Sequence, residues 1–237
     1  MCISRYTNMI LCLEVSKSVY RVISIYGLHA CKRRTLAVMN YLAHLHLGGH
    51  RPAQLLGSLY GDFVKGPLPG RFPAELEAAI RLHRSIDVFT DSHPLIKASI
   101  ARFPAQRRRY AGIMLDVFFD HCLARDWHLY ADLPLDVFTR KVYGTLAAES
   151  QLPERLALIA PRMAAQDWLG SYRQFEVLEQ VLRGISSRLS RPEGLAGGMH
   201  ELQALYQPLS DDFAEFYPQL QDFAQAALAG RETASPD

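Results

Sequence analysis

The sequence predicts an all-α, single-domain protein, and three observations lead there. After Met39 the alternation of Val, Ile and Thr with polar residues that marks half-buried strands is missing. Prolines instead recur where helices can begin, at Pro52, Pro73, Pro104, Pro134 and Pro153. No internal repeat or low-complexity linker divides the chain, and residues 194–198 read as a loop rather than a boundary.

Taken in order, Ala53 to Lys65 is an apolar-rich helix, broken by Gly66-Pro67-Leu68-Pro69-Gly70. Pro73, with Glu75 and Glu77 in the first turn, opens a longer helix to about Asp91, ahead of His93-Pro94. A third segment follows Pro104, from about Gln106 to Tyr130, and further helices start near Pro134, Pro153 and Ser171. The last long helix spans Asp211 to Leu228, interrupted or bent near Pro218. The tail 231–237 is polar and expected to fray.

At 237 residues, 49% hydrophobic and 21% charged, the chain can bury a full core. Residues 1–38 hold Arg5, Lys17, Arg21, Lys32, Arg33 and Arg34 against the single Glu14, a net of +5. The whole chain carries +2, so the remainder is at −3, and the basic balance gives no reason to expect nucleic-acid binding by the body of the protein. Three of the four cysteines, Cys2, Cys12 and Cys31, lie in the same leading segment. That usage argues against a disulfide framework and makes the cytoplasm the expected compartment. Met39 is expected to be the natural start, with residues 1–38 a poorly packing upstream extension and residues 39–230 the functional domain. No run of eighteen apolar residues occurs, so no membrane span is expected.

Histidines and carboxylates set into apolar segments between His44 and His121 suggest one shared ion, because burying them unpartnered is costly. In Gly112 to Cys122 the residues Ile113, Met114, Leu115, Val117, Phe118 and Phe119 leave no polar face, so Asp116 and Asp120, one turn apart, lie inside. Two such carboxylates need a cation, an arginine or several donors. A metal is the favoured reading, with a buried ion pair to Arg84, Arg81 or another arginine as the alternative. His83 and Asp87 repeat the i, i+4 spacing, which suits a metal ligand with an orienting carboxylate behind it, or two direct ligands. Asp62 sits among apolar neighbours; His44 and His46 are two apart, so only one of them should face the site. His121 is open to three roles: general acid, ligand, or the start of a wet face shared with Arg125. Oxygen ligands mixed with imidazole favour Mn2+ or Mg2+ over structural zinc, and such sites hydrolyse phosphate esters. The one basic cluster after Met39, formed by Arg102, Arg107, Arg108 and Arg109, suits an acidic macromolecular partner.

These residues resemble a family. Met39-Asn40-Tyr41-Leu42-Ala43-His44-Leu45-His46-Leu47, Gly61-Asp62-Phe63-Val64-Lys65-Gly66, His83-Arg84-Ser85-Ile86-Asp87-Val88, and Leu115-Asp116-Val117 with Asp120-His121 are similar to the acyl-carrier-protein phosphodiesterases. The likeness continues through Trp168-Leu169, Tyr172-Arg173 and Ser187-Arg188, covers Met39 to about Ala227, and begins at the methionine that opens the family's pattern. The resemblance implies a divergent helical HD phosphohydrolase that uses Mn2+ to cut the phosphodiester between 4′-phosphopantetheine and the carrier's serine. HD enzymes hold metal with an upstream His, a His-Asp pair and a distant Asp. Here Asp62 matches the Asp of the pair while Gly61 stands in place of its histidine, and His83 is the candidate replacement. His44 or His46 matches the upstream His, and Asp120 or Asp116 the distant Asp. Under this reading His121 or His83 protonates the leaving group, Arg84 or Arg188 holds phosphate oxygens, and the arginine cluster docks the acidic carrier. Two other readings remain: a hydrolase of a nucleotide or small phosphoester, and a helical module that binds carrier protein without cutting it.

Overall fold

The computed structural model describes residues 41–187, 189, 194–195 and 197–232. Residues 1–38, Met39, Arg188 and residues 233–237 lie outside the described residues, and so do the expectations that fell on them. The described residues form eleven α-helices and a 3-10 turn, with no strand among them, as the all-α expectation requires. In chain order these are α1 (Tyr41–Leu47), α2 (Pro52–Phe63), α3 (Ala74–Ser92), α4 (Pro94–Arg102) and α5 (Arg108–Arg125). After the 3-10 turn Trp127–Leu129 come α6 (Leu135–Ala148), α7 (Glu154–Ala165), α8 (Trp168–Ser171), α9 (Val177–Ser186), α10 (Gly198–Ala204) and α11 (Tyr206–Glu232).

The central element is α5. From Ala111 to Ala124 only Gly112 and Asp116 escape full burial, as its lack of a polar face predicts. It ends at Arg125, five residues short of the expected Tyr130, where the chain tightens into the 3-10 turn and Trp127 Nε1 donates to the Leu133 carbonyl at 2.6 Å. Pro94 does not merely end α3; it opens α4, with the His93 side chain accepting from the Leu95 amide. Ser171 closes α8 rather than opening a helix, and the next begins at Val177. The last helix starts at Tyr206, five residues ahead of Asp211, and runs through Pro218 to Glu232. Phe216, Tyr217 and Leu220 are buried on either side of that proline, so packing carries the helix past the lost hydrogen bond.

Helices α2 and α3 decide where the site forms. Their contacts climb in step: Arg51, just before α2, pairs with Glu75, Gly57 meets Ala79, and Gly61 meets His83. The two helices therefore run side by side in the same direction, and residues 64–73 double back between them. Gly57 and Gly61 lie one turn apart on the facing stripe. A Cβ at Gly57 would stand 2.3 Å from that of Ala79, and one at Gly61 2.2 Å from the His83 ring, so only glycine admits this approach.

Candidate metal centre

Three helices bring their polar residues to one point. His44 of α1 and His83 of α3 are 2% and 3% exposed. Their rings stack with centroids 3.7 Å apart and planes 17° apart. Both aim Nε2 at one carboxylate: His44 lies 3.1 Å from Asp87 Oδ1, and His83 lies 3.4 Å from Asp87 Oδ2. Asp62, in the last turn of α2, has Oδ1 3.9 Å from His83 Nε2. One donor atom from each of His44, His83 and Asp87 falls within 4.8 Å of the other two, the spacing a single cation requires. His83 Nδ1 donates to the Ser58 carbonyl at 2.7 Å, which fixes the ring and turns Nε2 toward the carboxylates.

Charge at this point is unbalanced. Burial, with His83 adding, pushes the His44 pKa down to about 4 despite its hydrogen bond to Asp87. Burial also opposes charge on His83, but Asp87 and Asp62 outweigh it and hold that imidazole above its ordinary value. Asp87 sits well below the usual carboxylate range, because its bonds to the two imidazoles overcome its own desolvation. Asp62 is pushed up to about 6, chiefly by burial, with Asp87 adding and His83 opposing. Asp116 is raised well above normal, first by burial and then by the charges of Asp87, Asp120, Asp91 and Asp62; it has no hydrogen-bond donor among the described residues. Two imidazoles thus face a cluster of carboxyl groups whose ionisation burial resists. Two buried atoms at this point, His44 Nδ1 and Asp62 Oδ2, have no partner. A divalent cation fits that donor set: hard oxygens, with Asp62 Oδ2 unpartnered, and two imidazoles presenting Nε2.

The other sequence-predicted residues are placed as follows. Asp120, fully buried, accepts from the Leu42 and Ala43 amides at 3.0 and 2.9 Å, so its side chain caps the first turn of α1. Those donors offset only part of the desolvation, and burial lifts its pKa to about 8. Neither Arg81, which pairs with Glu77, nor Arg84 reaches Asp116 or Asp120, so the buried arginine pair is not formed. His46 faces away from His44: its Nδ1 meets the Tyr217 hydroxyl at 2.7 Å and its Nε2 the Tyr130 carbonyl at 2.9 Å. His121 is not on a wet face; it is 2% exposed, with Nδ1 2.8 Å from the Tyr172 carbonyl and Nε2 2.8 Å from the Tyr206 hydroxyl. Arg84 donates to the Gly66 and Val64 carbonyls. Arg102 grips Asp212 through two bonds and Arg107 pairs with Glu201, while Arg108 donates to the Phe103 and Ala101 carbonyls and Arg109 lies over the Tyr110 ring. Sequence reasoning missed the Ser58 carbonyl, which no side chain announces. It also left Gly61 as a departure from a motif; its spacing from Gly57 is the signal that α3 would pack there.

These pKa shifts set a pH dependence. Without metal, His83, raised in the folded state, adds stability that is complete below its unfolded value and lost as pH climbs through the folded one. Native Asp120 and Asp116 keep protons that the unfolded chain sheds near pH 4, so they too cost stability as pH rises, Asp120 up to about 8. The depressed histidines, His44 and His46, pull the other way only below about 6.5. Metal-stripped protein should therefore lose stability between pH 6.5 and 8, Asp120 alone contributing roughly 1–2 kcal/mol at about 1.4 kcal/mol per unit. Divalent cation should recover the part of the loss that arises at His83, whose proton it displaces. Calorimetric melting with chelator at the two pH values tests this; a Tm that holds or rises toward pH 8 refutes it.

Fold and site together define a helical protein with a buried histidine–carboxylate centre shared by α1, α2 and α3. The family model described as acyl carrier protein phosphodiesterase matches residues 39–220, and the chain belongs to that family. A relative of that name from Yersinia pestis is 37% identical over 189 residues, covering 79% of this chain and 98% of the relative. One from Klebsiella pneumoniae is 38% identical over 195 residues, with the same shares of 79% and 98%. One from Escherichia coli is 37% identical over 190 residues, 78% of this chain and 97% of its own. No solved structure matches the chain.

Proposed function

We infer that this protein is an acyl carrier protein phosphodiesterase, which hydrolyses the diester between 4′-phosphopantetheine and the carrier's serine to release apo-carrier protein. The observation that carries the reading is a relative 37% identical across 98% of its own length, with the family match over residues 39–220 taking in the helices that bear His44, Asp62, His83 and Asp87. The cation we assign is Mn2+, with Mg2+ as the substitute, held by His44, His83 and Asp87 with Asp62 adjoining. When bound, such a cation polarises a phosphoryl oxygen and lowers the pKa of water toward neutrality.

The chain's own residues do the rest. Ser58 keeps the His83 proton on Nδ1, so Nε2 is the atom presented to the centre. Asp87 spans both imidazoles and holds them stacked. Burial of Asp62 makes its free Oδ2 a proton acceptor near neutral pH. Arg84 follows His83 directly and stands on the loop side of the centre, where its charge favours a phosphodiester anion. His121, with both nitrogens engaged, enters as a positioning residue for α5 rather than as an acid. A cytosolic location rests on cysteine usage; no helix among the described residues is long and apolar enough to cross a membrane.

Mass spectrometry of holo-carrier protein after incubation with enzyme and Mn2+ tests the assignment. The expected result is loss of one phosphopantetheine, abolished by chelator. Carrier that binds and stays intact would mark a docking module; cleavage of small phosphoesters alone would mark a different hydrolase. We also place the activity within residues 39–230, so a chain starting at Met39 should match the full-length rate; a truncated chain with much lower turnover would put part of the machinery in residues 1–38.

A further inference from the structure

Four consecutive carbonyls leave α2 turned onto two guanidinium groups. Arg84 donates to those of Val64 and Gly66 at 2.9 and 3.0 Å, and Arg71 to those of Lys65 and Pro67 at 2.8 and 3.0 Å. Carbonyls are neutral acceptors, so these bonds hold the loop without cancelling the charge of either arginine. Lys65, exposed just past the end of α2, has no carboxylate within ion-pair distance among the described residues, though its charge is felt by Asp62. Glu77, buried beside the loop's end, is already turned onto the Arg71 and Phe72 amides and the Arg81 guanidinium.

The loop and α3 therefore present three cations, Lys65, Arg71 and Arg84, and two of them adjoin the centre in sequence: Lys65 lies three residues past Asp62, and Arg84 follows His83. The basic cluster before α5 is different. There Arg102 and Arg107 are cancelled by Asp212 and Glu201. Arg108 lies eight residues before Asp116, about 12 Å along the helix. Val88, next to Asp87 and one turn past Arg84 on α3, leaves an apolar side chain 69% exposed.

We propose that residues 64–71 with Arg84 and Val88 form the docking face for the substrate protein, a carrier whose acidic surface carries the phosphodiester to be cut. The proposal rests on the function inferred above and moves the docking site from the arginines before α5 to the loop between α2 and α3. A protein substrate must set its serine phosphate at the metal, so its charge should meet the cations that adjoin the metal ligands.

The test separates docking from hydrolysis. Binding of fluorescently labelled holo-carrier protein to the His83→Ala enzyme is read by anisotropy, and steady-state hydrolysis with Mn2+ is read on otherwise wild-type protein. Lys65→Glu should weaken binding at least tenfold and raise KM to match, with kcat changed much less, and added salt should weaken the unsubstituted protein toward the same level. Val88→Asp should act in the same direction. Unchanged affinity in Lys65→Glu and Val88→Asp overturns the proposal, and so does loss of affinity in Arg108→Glu/Arg109→Glu alone. Carrier that binds through the loop but is never cleaved would overturn the functional reading and leave the docking face standing.

Discussion

Replacing His83 with alanine is expected to remove bound metal and to lower turnover of holo-carrier protein by about 10^3-fold or more, roughly 4 kcal/mol of barrier. His83 provides the Nε2 that faces Asp87 and Asp62, and the Ser58 carbonyl holds it there. His44→Ala should behave alike, because its ring shares the same carboxylate. Gly61→Ala offers a sharper version, since the histidine stays in the chain. The added methyl would stand 2.2 Å from the imidazole, so the ring must move and metal affinity must fall. His46→Ala is the contrast: with one nitrogen on Tyr217 and the other on Tyr130, it should lower Tm and leave the turnover of folded protein nearly intact. Metal content and kcat measured across the four variants decide the matter. Full activity in His83→Ala, or a silent His44 beside a dead His46, would place the metal elsewhere.

The second large effect is on stability. Asp120→Ala strips the acceptor from two buried amides, Leu42 and Ala43, at about 1–3 kcal/mol each. A loss of roughly 2–4 kcal/mol is expected after allowing for relief of the buried carboxyl, and activity should fall with it because α1 carries His44. Asp120→Asn keeps an acceptor oxygen and should recover part of the loss. Asp62→Ala should do the opposite: its Oδ2 has no donor to lose, so the fold should hold or gain while metal binding weakens. Chemical denaturation of the three variants measures this. An Asp120→Ala protein that unfolds like wild type yet is inactive would make Asp120 a metal ligand rather than the cap of α1.

Periodicity and composition carried the helical class, because the pattern of apolar residues and helix-starting prolines is local and needs no partner to be read. The residue types of the centre were legible for the same reason: His83 and Asp87 lie on one stripe of one helix, and a spacing of four suffices to say so. Even the parting of His44 from His46 follows from the turn of a helix.

What the sequence could not decide is which face meets which partner, since helix geometry sets relative directions and leaves absolute ones to packing. Only the tertiary structure chose His44 over His46, by laying α1 between α3 on one side and Tyr217 on the other. Only it made Asp120 an acceptor for amides 77 and 78 residues away, and paired Arg102 with an aspartate 110 residues on. Each of those partners is a backbone group or a distant charge that local sequence does not contain. Gly61 shows the division most plainly: the chain records an absent side chain, and the parallel packing of α2 on α3 turns that absence into the space that His83 occupies.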